Sequence, residues 1–155
     1  MKTRSDNESI VVYCDGACSG NQFSDNRGGW GAILLYKGAR KELYGGERNT
    51  TNQRMELTAC IRALEAITRA DLPVDLYSDS AYLINCMKEK WYERWVRTNW
   101  KTAGKKRVEN RDLWERLLGF LDTLQIRFHK VAGHNGIELN ERADELARQG
   151  IEEVE

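Results

Sequence analysis

The sequence has no net charge, no long apolar run, no C-x-x-C pair and only two histidines. Its longest apolar run, residues 32–36 (AILLY), falls far short of the roughly 20 residues that a membrane helix needs, so no span is expected. The N-terminal MKTRSDNESI lacks the apolar region of a secretion signal, which makes a reducing cytoplasm the expected setting. Disulfides among Cys14, Cys18, Cys60 and Cys86 are then not expected, and with His129 and His134 as the only imidazoles a structural zinc site is not indicated. No repeat of domain scale and no low-complexity segment interrupts the 155 residues, which have the size of one domain.

The absent net charge conceals an asymmetry. Residues 88–108 (KEKWYERWVRTNWKTAGKKRV) hold eight Lys/Arg against two acids, a local charge of +6, leaving 16 basic and 22 acidic residues elsewhere. Three of the five tryptophans, Trp91, Trp95 and Trp100, lie in this segment. The i, i+4 spacing of Trp91 and Trp95 predicts a partly packed helical face, while the cations predict attraction to a phosphate backbone.

Hydrophobic periodicity sets out the elements. Residues 10–15 (IVVYCD) read as a strand closed by Gly16, and residues 30–36 and 41–45 as two more strands joined around Lys37 and Gly38, an antiparallel meander. From Thr51 the period becomes helical, with Leu57, Cys60, Ile61, Leu64, Ile67 and Thr68 on one stripe, Thr51 or Asn52 as N-cap and Pro73 beyond the end. Residues 74–78 form a short strand, and residues 81–87 start a helix leading into the basic segment. Residues 110–123 carry a leucine and tryptophan stripe, residues 126–131 a strand, and Leu139, Ala143, Leu146, Ala147 and Ile151 line a final helix. The order βββαβαβα predicts an α/β fold with a five-stranded mixed sheet in which strands one, four and five run parallel, flanked by helices. Residues 1–9 are expected to be a disordered polar lead-in, residues 10–151 the single domain and residues 152–155 an acidic tail.

Two strands share an ending: VYCDGA (residues 12–17) and LYSDSA (residues 76–81). Asp15 and Asp79 are thereby expected together at the carboxyl edge of adjacent parallel strands, where open α/β sheets place their sites. Each has a purely structural explanation, a turn at Asp15-Gly16 and a helix N-cap at Asp79. Two like charges held close, however, raise each other's pKa unless a cation or proton intervenes. Glu56, in TTNQRMELTA, lies at the sheet-facing margin of the first helix, or serves its dipole as an early acid. Asp144, in NERADELAR, lies beside core positions of the last helix, or pairs with Arg148 one turn on. If all four point at one spot they make an oxygen-only cage suited to Mg²⁺ or Mn²⁺ and to two-metal phosphoryl transfer. His134, in AGHNG, has the pKa range of a proton shuttle beside such a site, although a loop histidine also serves as a simple surface residue.

In this order, YCDGACSGN, TTNQRMELTA, LYSDSAYL and GHNGIELNERADELAR resemble the signature segments of type 1 ribonuclease H, bacterial in style and with a basic protrusion. The resemblance runs from about residue 10 to residue 150 and implies a mixed-sheet fold of order βββαβαβα. It implies cleavage of the RNA strand of RNA/DNA hybrids, leaving 5′-phosphate and 3′-hydroxyl ends. It also implies Asp15, Glu56, Asp79 and Asp144 as ligands of two Mg²⁺ ions, with Mn²⁺ as a substitute, and His134 as the proton-transfer residue. Cys18, Asn21, Asn52 and Gln53 match the segments that read the RNA strand, and Thr51 with Asn110 matches the pocket for a DNA phosphate. An arginine often found two residues before that threonine is replaced here by Asn49, with Arg48 displaced by one. The loop of residues 22–27 is longer than in common bacterial members, and no additional hybrid-binding domain is expected before the first strand. Residues 88–108 match the protrusion that lies on the DNA backbone, with Trp91, Lys105, Lys106 and Arg107 touching it and Trp95 and Trp100 as braces. The resemblance implies a hybrid duplex as partner; no feature of the sequence demands an oligomer, so a monomer is the default expectation, and no membrane is expected from the short apolar runs. Two other readings remain open: a non-catalytic hybrid-binding module, and another nuclease or strand-transferase of the same fold.

Overall fold

The computed structural model describes residues 8–20, 26–131 and 138–154. Among them run five strands, β1 (Ile10–Ser19), β2 (Arg27–Tyr36), β3 (Ala39–Arg48), β4 (Val74–Ser78) and β5 (Ile126–Lys130). Five helices accompany them: α1 (Asn52–Glu65), α2 (Ala81–Glu89), α3 (Trp91–Arg97), α4 (Arg111–Phe120) and α5 (Glu138–Glu152). The sheet order is β3-β2-β1-β4-β5. β1 pairs antiparallel with β2 and parallel with β4, and β4 pairs parallel with β5. The register sets Val12 beside Leu76 and Tyr13 beside Tyr77, which lines up the two similar strand endings.

Alternation along β1 sends Ile10, Val12 and Cys14 into the main core, where Leu57, Cys60, Ile61 and Leu64 of α1 and Leu113, Trp114 and Leu117 of α4 meet them. On the opposite face Ile33 packs with Ala143 and Leu146 of α5, and Tyr13 lies against that cluster. Tyr13, Tyr77 and His129 continue this face as a stack across three strands, with centroids 4.8 and 4.6 Å apart. Beside it Asp75 accepts two hydrogen bonds of 2.7 Å from Arg127. Burial pushes the Asp75 carboxyl up, but hydrogen bonds from Arg127, His129 and Ser9 outweigh it and hold the group well below the usual range. Among the described residues no helix is long and apolar enough to cross a membrane.

The elements depart from the sequence expectation in several places. β1 does not stop at Gly16 but continues to Ser19, with Gly16 paired opposite Trp30. The glycine is needed for a close approach, because a Cβ there would collide with the Met55–Glu56 backbone of α1. β2 and β3 are each longer than their apolar cores, pairing from Tyr36↔Ala39 out to Arg27↔Arg48. Backbone pairing across glycines and charged residues leaves no hydrophobic pattern to find. α1 ends at Glu65, so Ile67 and Thr68 reach the end of the stripe outside the helix. Three helices lie between β4 and β5, where the order βββαβαβα has one. The break is at Lys90, which adopts φ 57° and ψ 44° and so separates α2 from α3. At the amino end, Ser9 is buried and the Ile10 amide donates to the Pro73 carbonyl. At the other end α5 runs to Glu152, one residue into the expected tail.

α5 sits tightly over β2, where a Cβ on Gly29 would meet the Ala147 carbonyl. Arg142 fixes the helix to β3 by donating to both oxygens of Glu42, at 2.9 and 3.1 Å. This packing sets the position of Asp144 over the sheet.

Candidate active site

Three elements bring three carboxylates together. Asp15, inside β1, and Asp79, one residue past the end of β4, each stand two residues beyond the paired Tyr13 and Tyr77. Glu56 joins them because Gly16 lets the start of α1 close on β1. Asp15, Glu56 and Asp79 each offer an oxygen within 4.8 Å of the others. The structural roles that competed for these residues belong to others: Ser80, not Asp79, caps α2, and Glu56 lies beyond the first turn of α1.

The electrostatics are those of repelling groups held in a partly desolvated cleft. Burial, and next the charge of Asp79, push the Asp15 carboxyl up to about 8, against a lowering hydrogen bond of 2.9 Å from the Gly16 amide. Asp144 and Glu56 add smaller upward contributions. Burial also raises Glu56, opposed by a hydrogen bond from Ser80 and helped by Asp79. Asp144 is half exposed and pairs with Arg148 at 2.9 Å, the i, i+4 pairing its spacing allowed. Its charge still adds to the upward push on Asp15, but Asp144 is not among the carboxylates that come within 4.8 Å of one another.

Ser80 is a functional neighbour that sequence reasoning missed. Its Oγ donates to Glu56 Oε1 at 2.8 Å and accepts the Leu83 amide at 3.1 Å. The signal was the second serine of LYSDSA, at an N-cap position directly after Asp79.

Around the trio the other expected residues occupy distinct places. Cys18, Thr51 and Asn52 line one surface groove with Gly20, Asn26 and Thr50, and Gln53 is exposed on the first turn of α1. Thr51 caps α1, its Oγ1 accepting the Arg54 amide at 3.1 Å, which leaves the hydroxyl proton available to a ligand. Thr51 and Asn110 are linked through Arg54, whose guanidinium donates to Asn110 Oδ1 at 3.2 Å and to both oxygens of Asp112 at 3.0 and 2.8 Å. Asn110 in turn donates to the Tyr82 hydroxyl at 3.1 Å. Arg54 was in view in TTNQRMELTA, but its long-range partners lie more than fifty residues away. Asn21 and His134 lie outside the described residues.

The basic segment is braced from within. Trp95 packs on both Trp100 and Trp114, with centroids 5.7 and 5.5 Å apart, and Trp114 is fully buried. Trp91 stays 37% exposed, edge-on to Trp95, with its Nε1 donating to Glu89. Beyond Trp100, a bridge between Lys101 and Arg107 and the Val108 to Trp100 hydrogen bond close a short loop. Lys105, Lys106 and Arg107 lie exposed on it.

The RNase H family model matches residues 7–152. The ribonuclease H of Chlorobaculum parvum is 51% identical over 146 residues, covering 94% of this chain and 97% of that protein. The ribonuclease H of Rhodopseudomonas palustris strain HaA2 is 54% identical over 144 residues, covering 93% and 86%. Among solved structures, LC9-RNase H1, described as a type 1 RNase H with the type 2 active-site motif, matches with a TM-score of 0.82 at 28% identity, covering 97% of this chain and 75% of that one. LC11-RNase H1, solved in complex with an RNA/DNA hybrid, shares the fold with a TM-score of 0.65 at 24% identity, covering 93% and 97%.

Proposed function

The chain belongs to the ribonuclease H family, and from that membership we propose that it is an endoribonuclease cutting the RNA strand of RNA/DNA hybrids, leaving 5′-phosphate and 3′-hydroxyl ends. The observation that carries the reading is the convergence of Asp15, Glu56 and Asp79. The donor set fits a hard divalent cation: every donor is a carboxylate oxygen, and burial, with the charge of Asp79 next, pushes the Asp15 carboxyl up, a cost that a bound cation would offset. We assign two Mg²⁺ ions, with Mn²⁺ as a substitute, to these three carboxylates and to Asp144 from α5. Bound there, the ions supply charge stabilisation for the phosphoryl oxygens and acidify the attacking water.

The chain's own residues do the rest. Ser80 holds Glu56 in one orientation, and the Gly16 amide holds Asp15. His134, by its place in AGHNG, is assigned the transfer of the proton to and from the site. Cys18, Asn21, Asn52 and Gln53 are assigned to the RNA strand, whose 2′-hydroxyls are what polar and amide groups can recognise. Thr51 and Asn110, connected by Arg54, are assigned to a phosphate of the DNA strand. Trp91 and the exposed Lys105, Lys106 and Arg107 are assigned to the DNA backbone farther along.

A non-catalytic hybrid-binding module would keep the basic segment and normally lose a carboxylate, and all four are present here. The test offers labelled RNA/DNA hybrid, single-stranded RNA and duplex DNA to the wild type and to Asp79→Asn, with Mg²⁺ or with EDTA. Cleavage of the hybrid alone, abolished by EDTA and by the substitution, is expected. Cleavage that survives both, or that falls mainly on duplex DNA, would overturn the reading and favour another nuclease of this fold.

A further inference from the structure

The start of α1 carries Thr51, Asn52 and Gln53, and its position over the sheet is set from an unexpected direction. Asn26, just before β2, is only 9% exposed. Its side-chain amide behaves as a peptide group: Oδ1 accepts the Thr50 amide at 2.9 Å and Nδ2 donates to the Thr50 carbonyl at 3.0 Å. Its backbone carbonyl accepts the Asn49 amide, also at 2.9 Å. The β2–β3 ladder ends formally at Arg27↔Arg48, and Asn26 extends it by one imitation residue on a side chain. The extension is needed because Asn49 turns with φ 56°, after which the chain must enter α1 at Thr51 without a further strand partner. The Thr50 carbonyl also receives Cys18 Sγ at 3.8 Å, so β1, the lead into β2 and the start of α1 meet at one residue.

We propose that Asn26 is a positioning residue for hybrid recognition: by clamping both polar groups of the Thr50 peptide unit, it fixes the groove formed by Cys18, Thr51 and Asn52 in the geometry that receives the substrate. The proposal rests on the reading that this chain acts on RNA/DNA hybrids. Asn26 touches no reacting atom. Glu56 lies more than one helical turn beyond the capping residue and is held separately, by Ser80 and by the approach at Gly16. Loss of the clamp therefore loosens the groove more than the carboxylate trio, and the effect falls on binding.

The experiment compares steady-state cleavage of RNA/DNA hybrid by wild type, Asn26→Ala and Asn26→Asp in Mg²⁺, alongside their thermal unfolding. Asn26→Ala is expected to raise KM about tenfold with kcat within about twofold, because small misplacements of positioning groups have effects of this size. Asn26→Asp keeps the acceptor for the Thr50 amide but loses the donor to its carbonyl, so its KM is expected between the two. It also serves as the working variant if Asn26→Ala does not fold. An unchanged KM in a folded variant would overturn the proposal, as would a fall in melting temperature with kcat and KM both unaltered, which is the signature of a merely structural residue. A wild type that neither binds nor cuts hybrid would overturn the functional reading first and this inference with it, whereas an active wild type matched by its variants overturns this inference alone.

Discussion

The Ser80 hydroxyl lies between two helices, donating to Glu56 Oε1 at 2.8 Å while accepting the Leu83 amide at 3.1 Å. One atom thus caps α2 and aims a carboxylate of α1. Replacing Ser80 by alanine removes both, and the lost cap is expected to reduce stability by about 1 kcal/mol. Loss of a group that orients a ligand typically lowers metal affinity ~10-fold or more, so the Mg²⁺ concentration for half-maximal cleavage should rise by about that factor. Ser80→Thr, which retains the hydroxyl, is expected to restore most of both. Metal titrations of the three proteins, with denaturant unfolding, check this.

Gly16 sets the distance between β1 and α1. A methyl group there would meet the backbone of Met55 and Glu56, which cannot yield without moving the helix. Gly16→Ala is expected to destabilise the fold by about 1–3 kcal/mol through overpacking. It should also reduce hybrid cleavage disproportionately, because Glu56 moves away from Asp15. Near-wild-type activity in a folded Gly16→Ala protein would show that the close approach does not matter to the site.

Without metal, Asp15 makes stability depend on pH in a direction unusual for an aspartate. Its folded pKa, about 8, is above its ordinary value of roughly 4, so the native state binds this proton more tightly than the unfolded chain does. The stability associated with the protonated carboxyl is therefore complete below about pH 4 and lost as pH rises toward 8. In EDTA, wild-type stability is expected to fall across this window, and Asp15→Asn should exceed the wild type at its alkaline end by up to a few kcal/mol. Saturating Mg²⁺ should shrink that difference, since the cation favours the ionised carboxylate. Thermal unfolding at about pH 5 and pH 8, with and without Mg²⁺, gives the answer.

The loop closed by the Lys101–Arg107 bridge presents Lys105, Lys106 and Arg107 to solvent, away from the tryptophan packing. Changing all three to alanine is expected to leave folding intact and weaken hybrid binding. It should also flatten the dependence of log affinity on log salt by about 0.7–0.9 for each phosphate that is no longer neutralised. A slope equal to the wild type's would remove these residues from the interface. The cleavage rate at saturating hybrid should remain near wild type, because no residue of the carboxylate trio is touched.

Much of this molecule could be read from local pattern. The 3.6-residue stripe of α1, the β-branched runs of β1 and β4 and the repeated Tyr-x-Asp ending were enough to anticipate parallel pairing of those strands, with both aspartates at one edge. Side-chain alternation is a property of each strand alone, and parallel neighbours joined by a helix follow from chain connectivity. Periodicity placed Glu56 and Asp144 near core-facing margins, the motif resemblance implied them as further ligands, and the structure brings Glu56 to the two aspartates.

What local pattern could not settle was every feature in which one segment serves another. Gly16 looked like a turn because the helix it accommodates begins 36 residues later in the sequence. The cap was expected at Asp79 and falls on Ser80, Arg54 drew no reading and Asn26 lay within a polar loop, since their partners across the sheet or helix junction are invisible to any short window. The resemblance implied Trp95 and Trp100 as braces with Trp91 outward, but the partner that Trp95 packs on, Trp114, arrives from α4 and lay outside the basic segment. Residue chemistry determined which groups could bind a metal or a phosphate. Only tertiary packing, through close backbone approaches and hydrogen bonds between distant segments, decided how near those groups come and which of them are held in place.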